Sequence, residues 1–237
     1  MILLDRYTPN FIWKNENALV DHGLVIEQEL PYVVSKRKYE EMSVLGSNRI
    51  LHEWFEDYEP YDFEIPNVSI PYENLAEVKQ WLLGESTLIT HNDPDKYCHA
   101  ICNMSKEQPY QNEWGVFYTF SIVFRCDPLK YRVNEPEIVL NRGENIVTNH
   151  GDDKSAPFFV FESGGGDIVL ECNEYKLTVL NTLKGTMTID TELAMCVQNN
   201  SQLRTKGRWL RVKQGDQIIK VTGNITSGKI QMRGVYL

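Results

Sequence analysis

The stretch Trp114-Gly-Val-Phe-Tyr-Thr-Phe-Ser-Ile-Val-Phe-Arg-Cys126 decides the fold class. Val116, Tyr118, Phe120, Ile122, Phe124 and Cys126 fall on one side at a period of two. Phe117, Thr119, Ser121, Val123 and Arg125 fall on the other. Successive side chains of a strand point to opposite faces, so an alternation this long predicts a core β-strand. Lys96 to Met104 alternates in the same way, with Cys98, Ala100, Cys102 and Met104 on one side. Upstream, Gly23-Leu-Val-Ile-Glu-Gln-Glu-Leu-Pro-Tyr-Val-Val34 reads as strand, with Pro31 at an edge or bend. Tyr7 to Asn17 is aromatic and polar without a clear period.

One helix is predicted. Asn74-Leu-Ala-Glu77 has the Asn-x-x-Glu spacing of a helix cap, Leu75, Val78 and Leu82 share a face, and Gly84 ends the segment. So short a helix holds only when that face packs on a sheet. Ser43-Val-Leu-Gly-Ser-Asn-Arg49 places a Gly-Ser-Asn turn between two apolar pieces, which predicts a hairpin or tight loop. It leads into Glu53-Trp-Phe-Glu-Asp-Tyr-Glu-Pro-Tyr-Asp-Phe-Glu64, which mixes six carboxylates with five aromatic rings. These are either strands with acidic outer faces or an adhesive loop.

Asp127-Pro128 and Glu135-Pro136 interrupt the pattern and predict a domain boundary. The two sides differ in charge. Residues 1–135 hold 12 Lys and Arg against 22 Asp and Glu, while residues 136–237 hold 12 against 11, within a net charge of −9. At 237 residues the chain has room for two cores, although one large barrel is open. Beyond residue 136, β-rich pieces recur: Pro157 to Phe161, Asp167 to Cys172, Tyr175 to Leu180, Thr186 to Asp190, Leu193 to Val197, Gln217 to Val221 and Lys229 to Val235. Gly164-Gly-Gly166, Lys184-Gly185 and Gln214-Gly-Asp216 read as the turns between them. About eight strands in a hundred residues predicts a β-sandwich or jelly roll.

Composition also narrows function. The opening apolar run stops at Asp5, too short for a signal peptide, and no run approaches a membrane span, so no membrane partner is expected. Five cysteines, odd in number and without framework spacing, predict reduced thiols in a cytoplasm. The acidic first half does not suit a phosphate backbone, and no sequence-specific nucleic acid is expected. His52-Glu53-Trp-Phe-Glu56 lacks the second His of a zinc helix. On a strand Cys98 and Cys102 would lie about 13 Å apart, with His99 facing away, which makes no tetrahedral metal site. Neither a nucleophile elbow nor a phosphate loop occurs. No cofactor, metal or catalytic residue is therefore expected. Two chemical readings are open: a glycosidase pair among the carboxylates of 53–64, and a sugar or phosphate contact on the cationic run Arg204 to Lys213, centred on Arg208, Trp209 and Arg211.

Taken in order, these features resemble the distal tail (Dit) proteins of siphophages, the long-tailed non-contractile bacteriophages. The matching pieces are the Gly23-Leu-Val strand, the Val44-Leu-Gly-Ser-Asn-Arg49 turn, the Trp81-Leu-Leu-Gly84 helix tail and Phe124-Arg-Cys-Asp-Pro128. Pro157-Phe-Phe-Val-Phe161, Asp167-Ile-Val-Leu170, Gly185-Thr-Met-Thr-Ile-Asp190 and Gln214-Gly-Asp-Gln-Ile218 follow. The family's Val-Pro-Gly-x-x-Gly turn has Leu45 in place of Pro and Arg49 in place of the last Gly, and the frequent Arg-Trp ending is replaced by Gly234-Val-Tyr-Leu237. The resemblance implies a mainly β protein of two domains. Residues 1–135 would form an N-terminal β-sandwich or barrel with one short helix that builds a ring, and residues 136–237 a galectin-like sandwich. It implies a non-enzymatic homo-hexamer at the virion tail tip, between the tail tube protein and the tail-associated lysin or tail tip, receptor-binding and baseplate proteins. Gly46, Ser47, Asn48, Arg49, Trp54, Phe55, Asp57 and Tyr58 are the candidates for ring interface or lumen. The sugar-binding motifs of true galectins are absent, and a carbohydrate-binding adhesin is the alternative function.

Overall fold

The computed structural model describes residues 4–46, 48–103, 111–113 and 116–237. Ser47, Met104, Trp114 and Gly115 of the stretches quoted above lie outside the described residues. The protein is mainly β with one short helix, and it divides into two compact units, the first ending at Val133 and the second spanning Asn134–Tyr236.

The first unit opens with β1 (Phe11–Trp13), β2 (Glu16–Asn17) and β3 (Val25–Ile26), followed by β4 (Arg37–Ser43), β5 (Ile50–Tyr58) and β6 (Tyr61–Pro71). After α1 (Leu75–Leu82) come β7 (Gly84–Thr90), β8 (Lys96–Cys102), β9 (Gln111–Glu113) and β10 (Phe117–Arg132). The sheet runs β2-β1-β7-β8-β10-β6-β3, with β9 also on β10. As the alternation requires, Phe120, Ile122, Phe124 and Cys126 of β10 and Cys98, Ala100 and Cys102 of β8 are buried in one core.

Three expectations are corrected here. The strand does not stop at Asp127-Pro128: β10 continues to Arg132, and its pairing with β8 shifts register between Cys126 and Lys130. A proline has no N–H for the ladder, so it sits where the ladder is irregular, and its carbonyl accepts a hydrogen bond from Ser35 Oγ. The segment 23–34 is strand only over β3, although Leu24, Ile26 and Leu30 are all in the core. The aperiodic Tyr7 to Asn17 contains β1 and β2, joined through Lys14 and Asn15 at φ 52° and 65°, the left-handed pair of a type I′ hairpin. Phe11 and Trp13 are thereby carried into the centre of the core, where Phe11 meets Phe124 edge-on at 5.5 Å. The loop that follows hangs on Asn17, whose Oδ1 accepts from Asn10 Nδ2 at 2.8 Å and from the amides of Leu19 and Val20 at 3.0 Å.

The helix packs Val78, Trp81 and Leu82 on that core, and Trp81 stacks on Phe11 and on His22. Asn74 does not cap it. A 3-10 turn over Tyr72–Asn74 precedes the helix, and the Asn74 Nδ2 instead donates to the His22 carbonyl at 3.2 Å, tying the helix start to the N-terminal loop.

The second unit contains β11 (Glu137–Leu140), β12 (Gly143–Asn149), β13 (Phe158–Cys172), β14 (Tyr175–Asp190) and β15 (Met195–Gln198). β16 (Ser201–Gln202), β17 (Thr205–Gly207), β18 (Gly215–Thr222), β19 (Ile225–Gln231) and the two-residue β20 (Val235–Tyr236) follow. Gly164-Gly-Gly166 and Lys184-Gly185 are not hairpin turns. They lie opposite one another within one long antiparallel pair, β13 with β14, whose turn is at Asn173-Glu174. The first half of β13 pairs with β19 and its second half with β18, while β14 pairs with β17 early and β15 late. The long pair therefore bends at its glycines from one sheet into the other, β12-β18-β13-β14-β17 and β11-β19-β13-β14-β15-β16. Gly165, Gly166 and Gly185 supply φ of 99°, 96° and 128°, which other residues rarely adopt. Phe159, Phe161, Ile168, Leu170, Leu177, Val179, Met187 and Ile189 line the enclosed core, which is the arrangement of a two-sheet sandwich with a strand pair turning the corner.

At one rim of this core Arg233 forks onto Asp190, Nη1 to Oδ1 and Nη2 to Oδ2, both at 3.0 Å. Burial alone would raise the Asp190 carboxyl, but the guanidinium and the amides of Leu193 and Glu192 hold it below its ordinary value. A carboxyl depressed by folding stabilises the protein above its unfolded pKa, and that contribution is lost as pH falls through the folded value. Arg233→Met is therefore expected to cost about 1–3 kcal/mol at neutral pH. In denaturant unfolding, the difference from the unsubstituted protein closes as pH drops below about 4.

Candidate functional site

β4 and β5 form a two-stranded sheet of their own, outside the ladder of the first unit. Register pairs Tyr39 with Trp54, Glu41 with His52, and Ser43 with Ile50 on one face, and Glu40 with Glu53 and Met42 with Leu51 on the other. The turn expected at 44–49 is the tip of this arm, where Leu45, Gly46, Asn48 and Arg49 are exposed. Gly46 holds φ at 83° with open space where a side chain would stand.

Both faces carry exposed apolar side chains among their charged ones. On one, the rings of Tyr39 and Trp54 lie 5.0 Å apart and Tyr39 and His52 5.5 Å apart, yet Trp54 remains 61% exposed. On the other, Met42, Leu51 and Phe55 are exposed. Glu40 and Glu53 stand directly opposite one another, a like-charge pair that opposes the hairpin. A lone two-stranded hairpin is marginal in water, and burying these residues would recover the apolar surface they expose. Charge contacts brace the base: Lys38 Nζ lies 3.9 Å from Asp57, and Arg37 donates to Tyr58 Oη at 3.1 Å.

Of the candidate residues on this segment, Gly46, Asn48 and Arg49 thus gather at the tip. Trp54 and Phe55 point to opposite faces, and Asp57 and Tyr58 brace the base. Tyr39, Met42, Leu45, Ile50, Leu51 and His52, also on this arm, are not among the interface candidates that the sequence suggested. The available signal was Ile50-Leu51, adjacent apolar residues that cannot share one side of a strand. The remaining carboxylates of the acidic stretch that the structure shows, Glu59, Asp62 and Glu64, are also exposed, with Asp62 paired to Arg125 at 3.1 Å.

Arg208, Trp209 and Arg211 have different surroundings. Arg208 is exposed, the Trp209 ring packs against the second core, and Arg211 Nη1 donates to the Thr191 carbonyl at 3.0 Å. The ring is thereby half committed to the core.

No protein-family model matches the sequence, and no curated protein does. Among solved structures, the chain is similar to the Dit protein (gp 19.1) of phage SPP1, described as a paradigm of the hub adsorption apparatus in phages infecting Gram-positive bacteria. The TM-score is 0.73 at 14% identity, over 94% of this chain and 97% of that one. A second similarity, to a structure of the phage p2 baseplate in its activated conformation with Sr, has a TM-score of 0.45 at 7% identity and adds no support. With both units covered in a single alignment, the chain has the fold of the SPP1 Dit protein.

Proposed function

We propose that this protein is a structural distal tail protein of a long-tailed, non-contractile phage or prophage, without enzymatic activity. Six copies form a hub ring through an N-terminal domain, residues 1–135. The ring joins the tail tube to the baseplate or tail tip and its host-adhesion proteins, and a C-terminal domain, residues 136–237, serves as a galectin-like scaffold. The observation that carries this reading is the shared fold with SPP1 Dit over nearly the whole of both chains. The β4–β5 arm supplies the physical motive: a two-faced apolar hairpin, marginal alone, becomes stable when a neighbour covers it. In a closed ring every arm meets the same heterologous patch on the next copy, so one kind of contact serves all six. The virion tail tip is the corresponding location.

Light scattering coupled to size exclusion tests the ring. The expected mass is six times the 27.5 kDa of the chain, in particles that negative-stain images show as rings. A protein that stays monomeric at all concentrations, alone and with the tail tube protein of the same phage, overturns the proposal.

A further inference from the structure

The cationic run that sequence reading singled out is arranged in a way that sugar binding does not explain. Among the described residues, β17 pairs with β14 and with no other strand, with Lys206 opposite Thr178. The Leu180 amide donates to the Arg204 carbonyl at 3.0 Å, and the Arg208 amide donates to the Lys176 carbonyl at 2.8 Å. In an antiparallel ladder the residues that bond to the partner alternate with residues that point away from it. Arg204, Lys206 and Arg208 therefore bond inward to β14, and the N–H and C=O groups of Thr205 and Gly207 face the free edge. Gly207 is exposed and has no side chain to obstruct an approaching backbone, and none would fit, since a Cβ there would lie 2.1 Å from the Lys176 carbonyl.

The side chains follow the same alternation. Arg204, Lys206 and Arg208 are exposed and project from the outer face about 6.6–6.8 Å apart. The neighbouring cations are already paired, Lys176 with Glu171 at 2.6 Å and Lys213 with Glu174 at 3.3 Å. Among the described residues, Arg204, Lys206 and Arg208 have no such partner. A short, charged edge strand is a common guard against accidental pairing. Three cations do repel a second copy of β17, but they leave the edge open to a strand carrying carboxylates at the same two-residue spacing.

We infer that the free edge of β17 docks an extended acidic segment of another protein as an added strand. Backbone groups of Thr205 and Gly207 supply the pairing, and Arg204, Lys206 and Arg208 select carboxylates at every second position. The inference does not depend on the tail reading, because a monomer would carry the same edge.

The probe is a fluorescein-labelled peptide alternating Glu with Thr, titrated with the full chain and followed by anisotropy. Saturable binding is expected, and the triple variant R204E/K206E/R208E should weaken it on the order of tenfold to a hundredfold, since each exposed ion pair is worth roughly two- to fivefold. Thr205→Pro removes an edge N–H at a position where an edge strand tolerates proline, and should weaken binding about tenfold with all three cations in place. The same peptide N-methylated on its pairing edge should not bind, and this arm decides the matter should Thr205→Pro fail to fold. The inference is overturned by absence of saturable binding, by equal binding of the N-methylated peptide, or by inorganic polyphosphate competing as well as the acidic peptide. The last two would show a diffuse attraction to polyanions with no strand pairing.

Discussion

A chain carrying Leu45→Asp together with Trp54→Ala is expected to keep its fold and lose its assembly. Leu45 stands fully in solvent at the arm tip and Trp54 is 61% exposed, so neither supports the core of an isolated protomer. Surface substitutions of this kind move stability by only about 0.5 kcal/mol. In an interface the balance reverses. A buried Trp is the commonest anchor, costing about 2–4 kcal/mol when truncated, and a carboxylate forced into an apolar contact is worse than a missing methyl group. The loss recurs at each contact of a closed ring, so the change in ring population is far larger than at a single interface. Sedimentation velocity should show protomers for the variant and rings for the unsubstituted chain at matched concentration, and a single cooperative thermal transition of the variant, below that of the ring because it lacks the stabilisation of assembly, shows that its protomer is folded. A variant that still closes rings would place the interface away from the arm.

The same arm shows where sequence reasoning reaches its limit. Alternation identified the strand of Phe120 to Cys126 because only one of its faces is buried, so composition and burial coincide. In β5 apolar residues fall on both faces, and nothing in Ile50-Leu51 or Trp54-Phe55 tells a core from an uncovered surface. Short range is a second limit. Phe11 and Trp13 occupy a three-residue strand, too short for any period, and owe their burial to β7, whose Leu88 to Thr90 pair with them from some eighty residues downstream. The Asn74 cap fits the local sequence, but the side chain is oriented to donate through Nδ2 to the His22 carbonyl, a partner invisible in a local window. Arg208, Trp209 and Arg211 are neighbours in sequence whose surroundings differ, because Leu210 and Val212 turn into the core and Arg211 is drawn to Thr191.

Glycines misled for a related reason. Gly164-Gly-Gly166 has the composition of a turn, and a chain passing through φ near 100° does bend there. Whether it reverses or only crosses between sheets is decided by what replaces the broken ladder. Here the Gly165 amide donates to Ser163 Oγ at 3.0 Å, and Thr182 Oγ1 donates to the Gly166 carbonyl at 2.6 Å. With that proton committed, the 2.6 Å contact between the two hydroxyls must be donated by Ser163. Across the bend, Gln198 accepts from the Leu183 amide at 2.8 Å through Oε1. Its Nε2 donates to the carbonyls of Leu183 at 2.9 Å and Gly185 at 3.2 Å.

Gln198→Leu should therefore be among the most damaging single changes in the second unit. The side chain is 3% exposed, so leucine is acceptable in size and polarity to the surrounding core but leaves one amide and two carbonyls without their partner. Each stranded buried group costs about 1–3 kcal/mol, against a net gain of about 1 kcal/mol for a hydrogen bond made. Leu183 is exposed, which lets water recover part of the loss at its backbone, and the expected total is about 3–4 kcal/mol. Amide exchange localises it: protection in β14 and β15 should fall by about two to three orders of magnitude, while the amides of β10 in the first unit keep theirs. Gln198→Glu keeps the Leu183 amide bond and replaces a donor to two carbonyls with an acceptor, so it should be at least as destabilising at neutral pH. It should recover part of the loss in acid, where the carboxyl is protonated and can donate once. Equal protection in all three proteins would mean that the glycines alone hold the bend.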